Sequence, residues 1–191
     1  MPGPTTTLPG APLRLMAVEV FEVNQANGWF EDDRTVGDDL ALLHSEVSEA
    51  LEAFRSWGLD DVTEIECRKG PSIIAHTAFG DGSHLCKPQG VGSELADVLI
   101  RLLDTVTRRD VVPAWLDGPL SHVRRQILPD GPSFGDCIAA LHAIIAQGDL
   151  ILLLHALLAV ADRYDIDLDF EYRRKIAFNR TRGHRHGGKR L

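Results

Sequence analysis

An all-α fold, a bundle of amphipathic helices, is what this sequence predicts, and three observations predict it. Apolar residues recur three and four apart along most ordered stretches, and period-two alternation of the strand type is scarce. The breaks between apolar runs, Pro129-Asp130-Gly131-Pro132 and Gln147-Gly148, suit tight helix-to-helix connections better than the crossovers of a parallel sheet. With 191 residues, 44% of them hydrophobic and 25% charged, the chain suffices for one domain with a sizeable core and lacks the composition of a disordered or collagen-like protein.

Met1 to Pro12, rich in Pro, Gly and Thr, reads as a flexible N-terminal arm, and it lacks the basic stretch and apolar block of a secretory signal. A first helix is expected over Leu13 to Asn27, ended by Gly28. The second, near 38–57, carries Leu40, Leu43, Val47, Leu51 and Phe54 on one face, with Asp38 or Asp39 as cap and Gly58 as terminator. The third, near 93–109, carries Leu95, Val98, Leu99, Leu102, Leu103 and Val106, with Ser93 as its cap. Three more are expected over about Phe134 to Ala146, Asp149 to Tyr164 and Asp169 to Arg180. Two stretches resist a helical reading, Cys67 to Gly92 and Asp110 to Pro132, and are expected to be long loops. The domain plan is therefore an arm over 1–12, a single helical domain over 13–182 and a basic tail over 183–191.

Leu150 to Ala161 is the longest apolar run, but His155 interrupts it and it is too short to span a bilayer; it belongs at the centre of the bundle or in a subunit interface. Three unclustered cysteines, Cys67, Cys86 and Cys137, form neither a disulfide framework nor a zinc-finger spacing, even with His76 and His84 nearby, and point to a reducing, cytoplasmic setting. The formal net charge of −8 argues against general affinity for nucleic acid. Its distribution is uneven, because Glu171 to Leu191 holds eight Lys or Arg against one Glu.

The most informative feature is an internal echo. Ser45-Glu46-Val47-Ser48-Glu49-Ala50-Leu51 returns as Ser93-Glu94-Leu95-Ala96-Asp97-Val98-Leu99, each copy reading Ser-acid-apolar-small-acid-apolar-Leu. Acids three apart share a helix face, so if the two helices pack together four carboxylates converge. One such pair alone reads as an ordinary solvated face; the second pair weighs against that, because Leu95, Val98, Leu99 and Ile100 leave its helix little face to solvate. Four gathered carboxylates repel unless a cation sits among them. An all-carboxylate set without the Glu-x-x-His of di-iron bundles suits Mg²⁺, or Mn²⁺ in its place, over Zn²⁺ or iron. Glu46, Glu49, Glu94 and Asp97 are the expected ligands.

Along the second half of the last expected helix and just beyond it, Lys175, Asn179, Arg182, His184, His186, Gly187, Gly188 and Lys189 group cations and donors in a way that fits polyphosphate. The competing reading is a basic tail that touches RNA or an acidic partner nonspecifically, although only Tyr172 and Phe178 are there to stack on bases.

Four segments in order, Asn27-Gly28-Trp29-Phe30, His44 to Glu52, Lys87 to Val98, and Lys175 to Arg182 with His186-Gly187-Gly188-Lys189, resemble the MazG-like all-α nucleoside triphosphate pyrophosphohydrolases. The resemblance implies a helical fold assembled as a homodimer or higher oligomer. It also implies Mg²⁺-dependent cleavage of a nucleoside triphosphate to monophosphate and pyrophosphate, usually as house-cleaning of the nucleotide pool. It assigns Glu46, Glu49, Glu94 and Asp97 to the metal and Lys175, Asn179 and Arg182 to phosphates or sugar. Trp29 is a candidate for stacking on the base, or else a core or interface residue. The chain departs from the family pattern at Ser45, where the usual Glu-Glu-x-x-Glu begins with an acid, and in two insertions spanning 58–92 and 110–148. Two other readings stand beside this one: a helical interaction module without catalytic activity, and a related enzyme acting on a phosphoribosyl-linked nucleotide.

Overall fold

The computed structural model describes residues 13–59, 64–69, 72–77, 87–109 and 133–188. Helices dominate it: α1 (Leu13–Ala26), α2 (Val36–Trp57), α3 (Val91–Arg108), α4 (Phe134–Gln147), α5 (Leu150–Arg163), α6 (Leu168–Arg180) and the single turn α7 (Arg185–Gly188). The six long helices fall where the periodicity places them, and their ends show why. Thr35 caps α2 in a reciprocal capping box with Asp38, Ser133 does the same for α4 with Asp136, and Asp149 and Asp167 cap α5 and α6. Gly58 and Gly148, both at positive φ, close α2 and α4.

Two expected caps are corrected. Asp39 does not cap α2 but turns inward, fully buried, to meet Arg34 and Arg109. Ser93 does not cap α3, which begins at Val91 behind Gly90; its hydroxyl accepts a hydrogen bond from Lys175 instead.

The long loop expected over Cys67 to Gly92 is also corrected. β1 (Glu64–Lys69) and β2 (Ser72–Thr77) pair antiparallel from Glu64↔Thr77 to Lys69↔Ser72, and β3 (Lys87–Pro88) pairs with the other edge of β1 at Ile65↔Pro88 and Glu66↔Lys87. Two short runs containing Ile65, Ile73, Ile74 and Thr77 on either side of Gly70-Pro71 carry the β-branched residues and turn signal of a hairpin. The arm 1–12 and the expected loop 110–132 lie outside the described residues.

α3 is the central helix, packed by α1, α2, α5 and α6. Its Leu95, Val98, Leu99, Leu102 and Leu103 are wholly buried, each worth about 1.5–3 kcal/mol of transfer free energy. α4 and α5 pack on the far side, α4 against α2 and α5 against both α3 and α4. The apolar run 150–161 thus lies within the bundle, with Ile151 as its exposed exception. No helix among the described residues is long and apolar enough to cross a membrane.

The α2–α4 seam holds a histidine pair. The Nδ1 atoms of His44 and His142 are 2.8 Å apart and the rings stack at 5.0 Å, so one imidazole donates and the other accepts. Burial, and then the charge of His44, lower the His142 pKa below its ordinary value. The unfolded chain therefore takes up more protons at this residue, and its contribution to stability is lost as pH falls below about 6.5. Comparing His142→Gln with the native chain by thermal melts between pH 7 and 5 is expected to show a smaller acid-side loss in the variant; equal losses would remove the pair from the acid response.

Candidate metal centre

Packing α2 against α3 brings the two acidic motifs face to face. Among the described residues, Glu46 from α2 and Glu94 and Asp97 from α3 offer carboxylate oxygens that all lie within 4.8 Å of one another. Glu49, one turn after Glu46, is outside that group but lines the same cleft, and its charge is felt by both Glu46 and Glu94. Three of the four expected ligands converge and the fourth stands at the rim.

The cleft has a volume of about 220 Å³ and is lined by Glu46, Glu49 and Asp97 together with Lys87, Arg101 and Arg182. Asn179 from the end of α6 also lines it, as do Trp29 and His186, whose rings meet edge to face at 5.0 Å. Of the residues expected to contact substrate, Trp29, Asn179 and Arg182 therefore face the cleft. Lys175 does not. Its side chain is 2% exposed and sits behind the acids, with Nζ 2.9 Å from Asp97 Oδ2, 2.9 Å from Ser93 Oγ and 3.4 Å from Glu94 Oε2.

The segment after α6 folds back over the turn that follows α1. Arg185 donates its backbone N–H to Asn27 O at 2.8 Å and pairs with Glu31 and Asp32, while His184 meets Glu31 at 2.9 Å. Arg185 and His186 hold φ of 44° and 50°, a left-handed conformation that costs about 1 kcal/mol or more per residue and is offset by these contacts. Gly28, at φ 78°, lets His184 approach, since a Cβ there would lie 2.4 Å from its Nε2.

Arg101 also lines the cleft and was not singled out by sequence reasoning. It reaches Glu46 at 3.2 Å and Asp104 at 3.7 Å, linking the carboxylate group to a buried ionic network. There Arg34 pairs with both Asp39 and Asp104, Arg109 with Asp39 at 2.8 Å, and Asn24 donates to Asp104 at 2.9 Å. The signal was present: Arg101 lies seven residues after Glu94 and Asp104 seven after Asp97, so both continue the acidic face of α3 by two turns.

Burial, reinforced by the charge of Asp97, pushes the Glu46 pKa up to about 7, and burial likewise raises that of Glu94 although Lys175 opposes it. Without metal the folded protein thus holds a proton on Glu46 that the unfolded chain has released. Stability is lost as pH rises from about 4.5 to about 7. This sign is opposite to that at His142, so each is read as a difference between the native chain and one variant. In chelator, Glu46→Gln is expected to lose less stability than the native chain over this range. Mg²⁺ is expected to raise the native melting temperature more at pH 8 than at pH 5, because it competes with that proton.

The donor set fits a hard divalent cation: several carboxylate oxygens and no thiolate or imidazole in the group. No family model matches the chain, and neither a curated protein nor a solved structure matches it.

Proposed function

We propose that this protein is a Mg²⁺-dependent nucleotide pyrophosphohydrolase that cleaves (deoxy)nucleoside triphosphates to monophosphate and pyrophosphate, with nucleotide-pool house-cleaning as its role. The observation that carries this reading is the convergence of Glu46, Glu94 and Asp97 beside a cleft that also presents Lys87, Arg101 and Arg182. Carboxylates suit the cation that accompanies a polyphosphate, and arginine and lysine suit its oxygens. The resemblance in sequence supports the same chemistry. Glu46, Glu49 and Asp97, with Glu94 behind them, would hold Mg²⁺, or Mn²⁺ in its place, which neutralises phosphate charge and acidifies a bound water. Arg182 and Asn179 would contact phosphate or sugar, and Trp29 with His186 would offer the base an aromatic edge.

The test is pyrophosphate release from a panel of ribo- and deoxyribonucleoside triphosphates and a phosphoribosyl-linked nucleotide, with Mg²⁺ and with chelator. Equal yields of monophosphate and pyrophosphate from a triphosphate, abolished by chelator, are expected. Turnover confined to the phosphoribosyl-linked nucleotide would move the chain to that class. No turnover, with a folded chain that Mg²⁺ does not stabilise, would leave the interaction module.

A further inference from the structure

Lys175 occupies an unusual place for a lysine in the middle of a basic helix. Only 1% of the residue is exposed, and the ammonium faces five oxygens: Ser93 Oγ and Asp97 Oδ2 at 2.9 Å, Glu94 Oε2 at 3.4 Å, and Glu94 Oε1 and Pro88 O at 3.5 Å. These are donors of the kind a metal ion would use: carboxylates, a hydroxyl and a backbone carbonyl. The neighbouring Tyr172 and Ile176 are buried to 2–3% exposure, so α6 is fixed against the core and the lysine stem has no path outward. Resting on the pyrophosphohydrolase reading, we propose that the Lys175 ammonium is a permanent internal cation of the carboxylate cluster, standing where a second divalent ion would otherwise be needed, so that each cluster takes one divalent ion and not two.

Charge and position both argue for this. Glu46, Glu49, Glu94 and Asp97 bring four negative charges; Lys175 pairs with Glu94 and Asp97, and Arg101 with Glu46. Two negative charges remain, matched by one divalent ion. Lys87 acts on Glu94, and Arg182 is acted on by Asp97 and Glu46, at longer range from the cleft wall, which lowers the demand for a further ion. Position divides the cluster in the same way. Glu46, Glu49 and Asp97 line the cleft, while Glu94 does not and is held from behind by Lys175. A second ion drawing on Glu94 would have to displace the ammonium and strand it, buried, without a partner. Ser45 at the cleft adds a neutral hydroxyl and no charge. Lys175 is thus a positioning residue: it fixes Glu94 and Asp97 and does not touch substrate.

The experiment counts Mn²⁺ bound to the full chain, without nucleotide, by the loss of the free-ion electron paramagnetic resonance signal. One ion per chain is expected for the native protein. Two ions would overturn the inference and leave the metal-dependent reading standing; none would overturn that reading itself. In Lys175→Gln and Lys175→Met the count is expected to rise to two, and a folded variant that still binds one ion would show that the ammonium does not set the number. Ser45→Glu adds a carboxylate on an exposed helix position and tests the point even where the buried variants do not fold. Its count is expected to stay at one, and a rise to two with Lys175 in place would overturn the inference.

Discussion

Asp97→Asn is expected to lower Mg²⁺-dependent pyrophosphate release by about a hundredfold or more while leaving helical content unchanged. The carboxylate of Asp97 does two things at once. It belongs to the group of oxygens within 4.8 Å, and it accepts the Lys175 ammonium at 2.9 Å. The amide keeps the volume and one acceptor oxygen, so the Lys175 contact survives in weakened form and no cavity opens. What is lost is charge: an amide oxygen is a poorer ligand for a hard cation than a carboxylate, and the remaining acids attract the ion less. Steady-state kinetics over a range of Mg²⁺ separate the two contributions. A fall in kcat that excess Mg²⁺ does not restore would place Asp97 in stabilising the reacting phosphate through the ion; a loss fully restored by Mg²⁺ would make it a ligand that sets affinity alone. Near-native turnover at ordinary Mg²⁺ would remove Asp97 from the site.

What the sequence disclosed about this site was the part written in helical period. Glu46 and Glu49 share a face of α2, Glu94 and Asp97 share a face of α3, and the apolar residues beside them give each helix a face to bury; that the two helices bury these faces against one another is what the structure adds. The convergence followed from that packing. Lys175 was assigned to phosphate because, in a stretch with eight basic residues, a lysine reads as a cation available to an anionic ligand, whereas the proximity of Glu94 and Asp97 allows it to be buried behind the acids. Ser93 was read as a cap because local hydrogen bonding is the common use of serine before a helix, whereas its partner comes from α6, eighty-two residues on. The hairpin was missed because Glu64–Lys69 offers only Ile65 and Cys67 as apolar positions and Ser72–Thr77 places Ile73, Ile74 and Ala75 consecutively, so neither run carries an extended period-two alternation.

Arg101 ties the chemistry to the framework. Its guanidinium meets Glu46 on one side and Asp104 on the other, so the orientation of a proposed metal ligand depends on a buried network beginning three residues further along the same helix. Asp104 also receives Asn24 from α1, and Asn24 lines the cleft. The turn between α1 and α2 is held to this network through Arg34, and to the end of α3 through Arg108, which donates to the Trp29 carbonyl and lies 4.2 Å over the Phe30 ring. The residues that shape the aromatic side of the cleft and those that hold its acids are therefore anchored in one place.

Removing one member of that anchor is expected to be costly. Asp39 and Asp104 have no exposed side-chain surface, and the Arg34 side chain is 2% exposed. Asp104→Asn leaves the shape intact but leaves Arg34 with Asp39 as its remaining counter-charge, a partner that Arg109 shares. Breaking a buried pair in this way typically costs about 3–5 kcal/mol, because the surviving charge keeps its desolvation penalty and loses its compensation. The pair itself need not be worth that much, since two well-packed apolar side chains in its place often cost little. A double-mutant cycle distinguishes the two quantities. Asp104→Asn and Arg34→Met, each measured by urea denaturation, are expected to lose about 3 kcal/mol or more, and the double variant less than the sum of the two. A single loss below about 1 kcal/mol would mean that water reaches and solvates the surviving charge, as it does for exposed pairs. Asp104→Asn is also expected to raise KM for the proposed nucleotide substrate below its melting temperature, because Asn24 and Arg101, which line the cleft, both lose the carboxylate that orients them.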